Sequence, residues 1–361
     1  MMEKIWWERI PNAERLIQDV VFTLLAGKQA FLQIERHLPW PVAFQNVLET
    51  AIQHQDGVRR LHIVSAKEIG TEDDALETYL LCHFCKSELR DEFRPGFGYA
   101  RFLAQRCDTS TLKDSYLIID GGTERQVNRW LTFLSEYSRQ LGKKRGISCL
   151  ILSSTLKKDN WHGITTFCYE EYLTDYDSFI FFMIIADAQA IPKKLKPYLG
   201  EFVITLVGSD VELGFACLIH GCDFLENASE ILKSISETEF YSDGSKIINI
   251  PRKETVQAAW WMTQVKLLFP KIEAFRQDFL ERHREEIEKV LPCTNAEGDV
   301  IQDYHEVELG LLWHMRNHDR LHLVLHSRED DDLRRYRTLR NRLAHINPLS
   351  LQEIKKYVLE S

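Results

Sequence analysis

In the first half of the chain, short apolar runs alternate with longer stretches in which apolar positions recur with a helical period. Short apolar runs bounded by turn residues predict buried strands, and a period near 3.6 predicts amphipathic helices. The predicted strands are Ala30 to Ile34, Leu61 to Ser65, Tyr116 to Ile119, Ser148 to Leu152 and Ile164 to Phe167. The predicted helices are Ala43 to His54, Asp73 to Lys86 and Glu124 to Leu141, the last with a Thr123/Gln126 capping box. This order predicts an α/β domain with a mostly parallel sheet over residues 1–185.

The pattern weakens between residues 186 and 252 and then becomes helical. In the weak region, Phe202 to Val207 predicts a strand and Ala228 to Ile235 a helix, and we interpret the region as a connector or lid. The later predicted helices are Lys253 to Phe269, Pro270 to Leu291, Val307 to Leu325, Asp331 to Ala344 and Leu351 to Leu359. A Ser350/Glu353 capping box precedes the last of them. Residues 253–361 are therefore predicted to form an all-α helical bundle.

The 361-residue chain has a formal net charge of -9 and a sequence pI near 5.8. A broad positive field is expected of proteins that bind DNA or anionic membranes without specificity, so the composition argues against both classes. The longest apolar stretch, Phe179 to Ala186, is too short to span a bilayer, and the first residues lack the apolar centre of a signal peptide. We expect a cytoplasmic protein, not bound to membrane, with reduced cysteines.

Two groups of residues have side chains that can bind a metal. Cys82 and Cys85 form a Cys-x-x-Cys pair, but no second pair follows at zinc-site spacing. His314, His318 and His322 recur every four residues, but the arginines between them are typical of a solvated helix face. We therefore expect neither a metal site nor a cofactor.

The first half also resembles a P-loop ATPase core of the AAA+ or STAND kind. Tyr116-Leu117-Ile118-Ile119-Asp120 is similar to a Walker B strand, whose terminal acid coordinates magnesium. The loop after the first strand, Glu35-Arg36-His37-Leu38-Pro39-Trp40, has neither glycine nor the Lys-Ser/Thr pair that binds phosphates. Gly-Gly-Thr after Asp120 is typical of a turn into a capped helix. We predict a degenerate, non-hydrolysing module used for contact or regulation.

Near the C-terminus the chain reads Leu339-Arg340-Asn341-Arg342-Leu343-Ala344-His345 within a predicted helix. Arginine can bind a phosphate through two donors, and histidine transfers protons near neutral pH. Positions 340 and 345 are about 140° apart around a helix, so a second protomer or a bent helix end is needed to bring both to one phosphate. The alternative is structural: Arg340 pairs with a carboxylate and His345 caps the helix.

This run, followed by Asn347-Pro348, resembles the signature of HEPN domains. Many HEPN proteins are metal-independent endoribonucleases of toxin, antiviral and RNA-processing systems, with a composite site between two HEPN domains, and others keep the motif without a demonstrated activity. The resemblance implies that Arg340 holds the scissile phosphate, His345 moves the proton of the attacking 2′-hydroxyl, and Asn341 orients its neighbours. It also implies an RNA substrate, a homodimer through the C-terminal bundle and protein partners from a defence operon.

Further basic residues surround the motif in this acidic chain. The candidates for RNA binding are Arg334, Arg335, Arg337 and Arg342, with Tyr336 available for stacking on a base. The alternative is a solvated helix face neutralised by the acidic run from Glu329 to Asp332.

Two functions remain open at this point. One is a HEPN-type endoribonuclease with a regulatory N-terminal module. The other is a non-catalytic adaptor or sensor subunit of a multi-protein defence complex, which the missing phosphate loop favours.

Overall fold

The computed structural model describes residues 2–154, 161–295, 298–318 and 325–359. These residues divide into two compact units. The first unit comprises Met1–Phe181 and Phe240–Lys246, and the second comprises Phe182–Glu239 and Ile247–Ser361. The chain therefore leaves the second unit after Glu239, contributes one short segment to the first, and continues in the second from Ile247.

The described part of the first unit is an α/β structure. Its strands are β1 (Gln29–Gln33), β2 (Arg60–Ser65), β3 (Ser115–Asp120), β4 (Ser148–Ser153) and β5 (Ile164–Cys168). Its helices are α1 (Met2–Arg9), α2 (Pro11–Leu25), α3 (Pro41–Gln55), α4 (Ala66–Ile69), α5 (Ala75–Phe84), α6 (Ser87–Glu92), α7 (Tyr99–Arg106), α8 (Glu124–Leu141), α9 (Tyr169–Tyr172) and the first part of α10 (Asp175–Ala188). The predicted strands and the α/β class are confirmed, whereas α1 and α2 were not predicted.

These strands form a parallel sheet in the order β2-β3-β4-β1-β5. Because side chains alternate across a strand, Leu117 and Ile119 of β3 pack with Trp130 and Leu134 of α8 in one apolar cluster, while α2 contacts β1 and β4. Strand β4 is buried along its whole length, as expected for a parallel sheet covered on both faces. The core of this unit therefore lies on the sheet.

The strand order reverses between β1 and β4. The chain goes from β1 to β2, beyond β4, whereas it goes from β4 to β5, beyond β1. In open α/β sheets, ligands bind in the crevice that such a reversal creates at the carboxyl ends of the strands. The carboxyl ends of β1 and β4 are therefore the place where this strand order predicts a ligand site.

The described part of the second unit is largely helical, which confirms the predicted class of the C-terminal region. Its helices are the rest of α10, α11 (Lys196–Val207), α12 (Val211–Leu218), α13 (Cys222–Thr238), α14 (Lys253–Arg282), α15 (Arg284–Glu288), α16 (Leu309–Asn317), α17 (Ser327–Ala344) and α18 (Leu351–Leu359). A two-stranded antiparallel ladder joins β6 (Cys293–Thr294) and β7 (Val300–Ile301).

Two local predictions were wrong. The predicted strand from Phe202 to Val207 is the end of helix α11, because a short apolar run cannot be distinguished from a helix that is buried on most sides. The helix break predicted at Pro270 is absent, and α14 continues through it. Proline removes one backbone donor, but buried Leu268 and Ile272 on either side hold the helix in the core.

Candidate functional site

Helix α17 ends in a tight C-terminal turn beside His345. The amide of Ile346 donates to the carbonyl of Leu343 at 3.3 Å, and the amide of Asn347 donates to the carbonyl of Arg342 at 2.9 Å. This pair of hydrogen bonds is the Schellman motif, which needs a left-handed residue just after the helix, usually glycine. Here that residue is Ile346, with φ of 52°. A β-branched side chain is strained in this conformation, so the turn stores strain next to His345.

Side chains of α14 form hydrogen bonds with the backbone at this turn and just after it. The indole nitrogen of Trp261 donates to the carbonyl of Leu343 at 2.8 Å. The fully buried Gln264 donates to the carbonyl of Leu349 at 2.9 Å and accepts from its amide at 2.7 Å. These contacts satisfy backbone groups that leave the helix, so the segment after Ala344 is fixed in place.

Arg340 lies in a cavity of about 310 Å³ lined by α14, α17 and the segment before α16. Its guanidinium donates to a carboxylate oxygen of Glu308 at 2.7 Å, and the two side chains are 37% and 63% exposed. Glu306, two residues before Glu308, also lines the cavity. Arg340 is therefore accessible and held by one surface ion pair.

The three predicted catalytic residues are near one another in sequence but do not converge within this chain. His345 is exposed at the end of α17 and does not line the cavity of Arg340. Asn341 is half-buried, and its carbonyl accepts from the amide of His345 at 3.1 Å. This agrees with the angular separation expected on a helix.

Most of the predicted RNA-binding side chains have contacts within the protein. Arg342 pairs with Glu353 and donates to the carbonyl of Pro348, and Arg337 lies over the ring of Trp313. Arg335 donates to the carbonyl of Tyr357 and lies over its ring. Tyr336 stacks on Phe275 with ring centroids 4.3 Å apart. Arg334 is exposed.

The carboxyl end of the sheet in the first unit holds a carboxylate of the chain itself. Glu170, just after β5, accepts hydrogen bonds from the amides of Glu35 and Arg36 at 2.8 and 3.4 Å. Successive amides in a loop form an anion-binding concavity. The loop after β1 therefore directs two amides at one carboxylate oxygen, that of Glu170, which the sequence of the loop did not indicate.

The segment Phe240–Lys246, here called the cover segment, lies at the same end of the sheet. Tyr241 packs on His37 with ring centroids 4.3 Å apart, and the Ser242 hydroxyl accepts from the amide of Trp40 at 3.0 Å. Desolvation, and then the nearby Asp243, raise the pKa of Asp120 at the end of β3. As predicted, Asp120 leads through a glycine turn into the Thr123/Gln126 capping box of α8.

Among the described residues, no group of three or more His, Cys, Asp or Glu side chains is arranged to hold a metal. His322, one of the histidines considered for such a site, lies outside the described residues. Within the described ranges, none of the helices has the length and apolar character needed to cross a membrane.

No family model matches this chain, and no curated protein matches it. Among solved structures, one similar chain is a Trip13 protein from Rhizobiales, with 9% identity over 72% of this chain and 85% of that chain and a TM-score of 0.34. Another is a Signal Transduction ATPase with Numerous Domains (STAND) protein with a tetratricopeptide repeat sensor from Pyrococcus horikoshii, with 11% identity over 96% of this chain and a TM-score of 0.30. This chain spans 58% of the length of the STAND protein.

Proposed function

We propose that this protein is a metal-independent endoribonuclease of the HEPN type that acts as a homodimer in a toxin or antiviral defence system. The observation that carries the proposal is that Arg340 and His345, a phosphate-binding cation and a proton-transfer group, are both accessible near the end of α17, where side chains of α14 hold the turn that follows the helix. Fixed positioning of such groups is what accelerates phosphodiester cleavage.

In the proposed reaction the 2′-hydroxyl of RNA attacks the adjacent phosphorus while the bond to the 5′-oxygen of the next nucleotide breaks. His345 of the second copy takes the proton of the 2′-hydroxyl, and a water molecule gives a proton to the departing 5′-oxygen. Arg340 neutralises the charge that builds up on the phosphate oxygens. The products are a 2′,3′-cyclic phosphate and a 5′-hydroxyl.

A homodimer supplies what one chain lacks. Arg340 and His345 diverge around α17, so the histidine that acts on a phosphate held by Arg340 comes from a second copy. The exposed and strained Ile346, 68% accessible, supports a contact surface beside the motif. Backbone strain persists where the fold requires it and is concentrated at functional sites.

The first unit then serves as a regulatory module that does not hydrolyse nucleotide. Glu170 already occupies the amides that follow β1, and the cover segment packs on His37 at the same end of the sheet. A triphosphate at this position would have to displace both.

The decisive experiment is cleavage of a single-stranded RNA in the presence of EDTA. Wild type is expected to cleave it and to leave cyclic phosphate ends, and His345→Ala is expected to lose at least about a hundredfold in rate. His314→Ala removes another exposed histidine, on α16, and is expected to keep full activity. Equal rates for wild type and His345→Ala would exclude this function.

A second candidate is a non-catalytic adaptor or sensor subunit of a defence complex. It is favoured by the internal contacts of Arg335, Arg337 and Arg342, which leave fewer cations for RNA. Recovery of a stable larger assembly in a pulldown, with no cleavage by the isolated chain, would favour this candidate. A purified dimer that cleaves RNA would count against it.

A further inference from the structure

Part of the lining of the cavity around Arg340 is apolar. Phe269 and Ile272 of α14 line it together with Arg340, and the ring of Phe269 is 37% exposed. A volume of about 310 Å³ is at the small end of ligand sites and is enough for a single nucleotide unit rather than a folded RNA.

The two arginines that line the cavity, Arg276 and Arg340, differ in how many of their donors are already used by contacts within the protein. Arg276 donates to Glu273 at 2.9 Å and to the carbonyls of His305 and Val307 at 2.7 and 3.1 Å, so its donors are used by the fold. Arg340 has the exposed contact with Glu308. Of the two guanidiniums described in this cavity, Arg340 is therefore the one that can exchange its partner.

The Glu308 carboxylate occupies the position where a phosphate oxygen would meet Arg340. An exposed ion pair contributes little to stability and is easily replaced. A phosphodiester offers two oxygens to the same guanidinium and can bind it through both donors. Glu308 thus acts as an internal competitor that a phosphate displaces.

Stacking is the other requirement of single-stranded RNA recognition. Tyr336, the aromatic residue that the sequence suggested, is already stacked on Phe275. Phe269 is the partly exposed aromatic ring that shares a cavity with Arg340.

We propose that Phe269, Glu308 and Arg340 form a subsite for one nucleotide of single-stranded nucleic acid, with the base on the Phe269 ring and its phosphate on Arg340 in place of Glu308. The subsite rests on the proposed function for its role, because it positions the phosphate that His345 of the second copy acts upon. Its binding is independent of cleavage. The remaining acids, Glu273 and Glu306, disfavour a second phosphate in the same cavity.

The test measures binding of a fluorescent, single-stranded 2′-deoxy oligonucleotide, which lacks the attacking hydroxyl and stays intact. Phe269→Ala is expected to weaken binding about tenfold, the effect of losing one stacked base. Phe269→Leu keeps apolar bulk without a flat ring and is expected to show most of the same loss. Phe22→Ala, which removes an exposed ring from α2, is the matched control and is expected to bind as wild type does.

Two acids of the cavity, Glu308 and Glu306, distinguish the displacement of a carboxylate from Arg340 from the simple loss of a negative charge. Glu308→Gln removes a negative charge and releases Arg340, so binding is expected to tighten several-fold. Glu306→Gln removes the same charge from the same cavity without releasing Arg340, so a smaller gain is expected. Equal gains would overturn the idea that Glu308 holds the phosphate position.

The outcomes distinguish this subsite from the proposed nuclease. Unchanged affinity in Phe269→Ala and Phe269→Leu, or no binding of the oligonucleotide by wild type, overturns the subsite even if RNA is cleaved. If wild type does not cleave RNA but the variants shift oligonucleotide affinity as described, the subsite stands and the nuclease proposal fails.

Discussion

The carboxyl end of the sheet and the cavity at Arg340 both hold a carboxylate of the chain where an external anion could bind. At the sheet, Glu170 is half-buried and accepts from the amides of Glu35 and Arg36, with the cover segment close by. At the cavity, Glu308 is 63% exposed and pairs with the partly exposed guanidinium of Arg340.

The difference lies in what each carboxylate would lose on leaving. Removal of Glu170 takes the shared acceptor from two backbone amides, whereas removal of Glu308 takes the partner from one long side chain, so more hydrogen bonds are lost at the sheet. The first carboxylate is part of the fold, and the second is a replaceable partner. A site that has to admit a substrate resembles the second.

The largest expected effect concerns Gln264, which holds the segment that follows α17. Gln264→Leu keeps the side chain's volume but leaves the buried amide of Leu349 without its acceptor, while the carbonyl of Leu349 loses one of two donors and keeps the indole of Trp260. A buried unsatisfied amide costs about 1–3 kcal/mol and the second lost hydrogen bond about 1 kcal/mol more, so the free energy of unfolding is expected to fall by about 3 kcal/mol in urea denaturation.

Gln257→Leu is the control for this variant. It makes the same substitution at an exposed position of the same helix and is expected to change stability by less than about 0.5 kcal/mol. If both variants have wild-type stability, the turn at Leu349 is not held by Gln264, and the rigidity attributed to the second region is wrong.

Local signals in the sequence predicted part of this structure. The capping box at Thr123 fixed the start of α8, and the Ser350/Glu353 pair predicted the start of α18, where the amide of Ser350 donates to Glu353 at 2.8 Å. These signals are contained in a few neighbouring residues. The apolar runs likewise predicted the strands.

Long-range partners could not be predicted in this way. Gln264 meets Leu349 across 85 positions and Glu170 meets Glu35 across 135, and no periodic pattern links such pairs. The motif identified Arg340 and His345 as candidates, but the exposure of Phe269 depends on how α14 packs. The sequence thus identified candidate residues, whereas their exposure and their partners depend on tertiary contacts that the sequence does not reveal.

A smaller effect is expected at the sheet end. Glu170→Ala is expected to lower the free energy of unfolding by about 2 kcal/mol, because two charge-assisted hydrogen bonds are lost. Inorganic phosphate is then expected to raise the melting temperature of this variant more than that of wild type, since the vacated amides can bind it.

Two controls test whether the comparison holds. Glu88→Ala removes an exposed carboxylate from α6 and is expected to be neutral in both assays. Glu308→Gln is expected to cost less than about 1 kcal/mol. If Glu170→Ala and Glu308→Gln have equal costs, the two carboxylates do not differ in the way described.

The smallest expected effect is at Ile346. Its left-handed backbone conformation lowers stability, whereas its exposed side chain is proposed to serve a contact between two copies. Glycine adopts a φ of 52° without strain, and the isoleucine side chain is 68% exposed, so Ile346→Gly gives up little burial. After the entropy that glycine adds to the unfolded chain, a gain of about 0.5–1 kcal/mol in stability is expected from thermal denaturation. If the strained residue serves a contact between two copies, the same variant is expected to dimerise and to cleave RNA less well, as sedimentation and the cleavage assay would detect. A variant that is more stable and fully active would mean that the strain has no role at this site, and a less stable one would mean that the isoleucine side chain packs usefully despite its exposure.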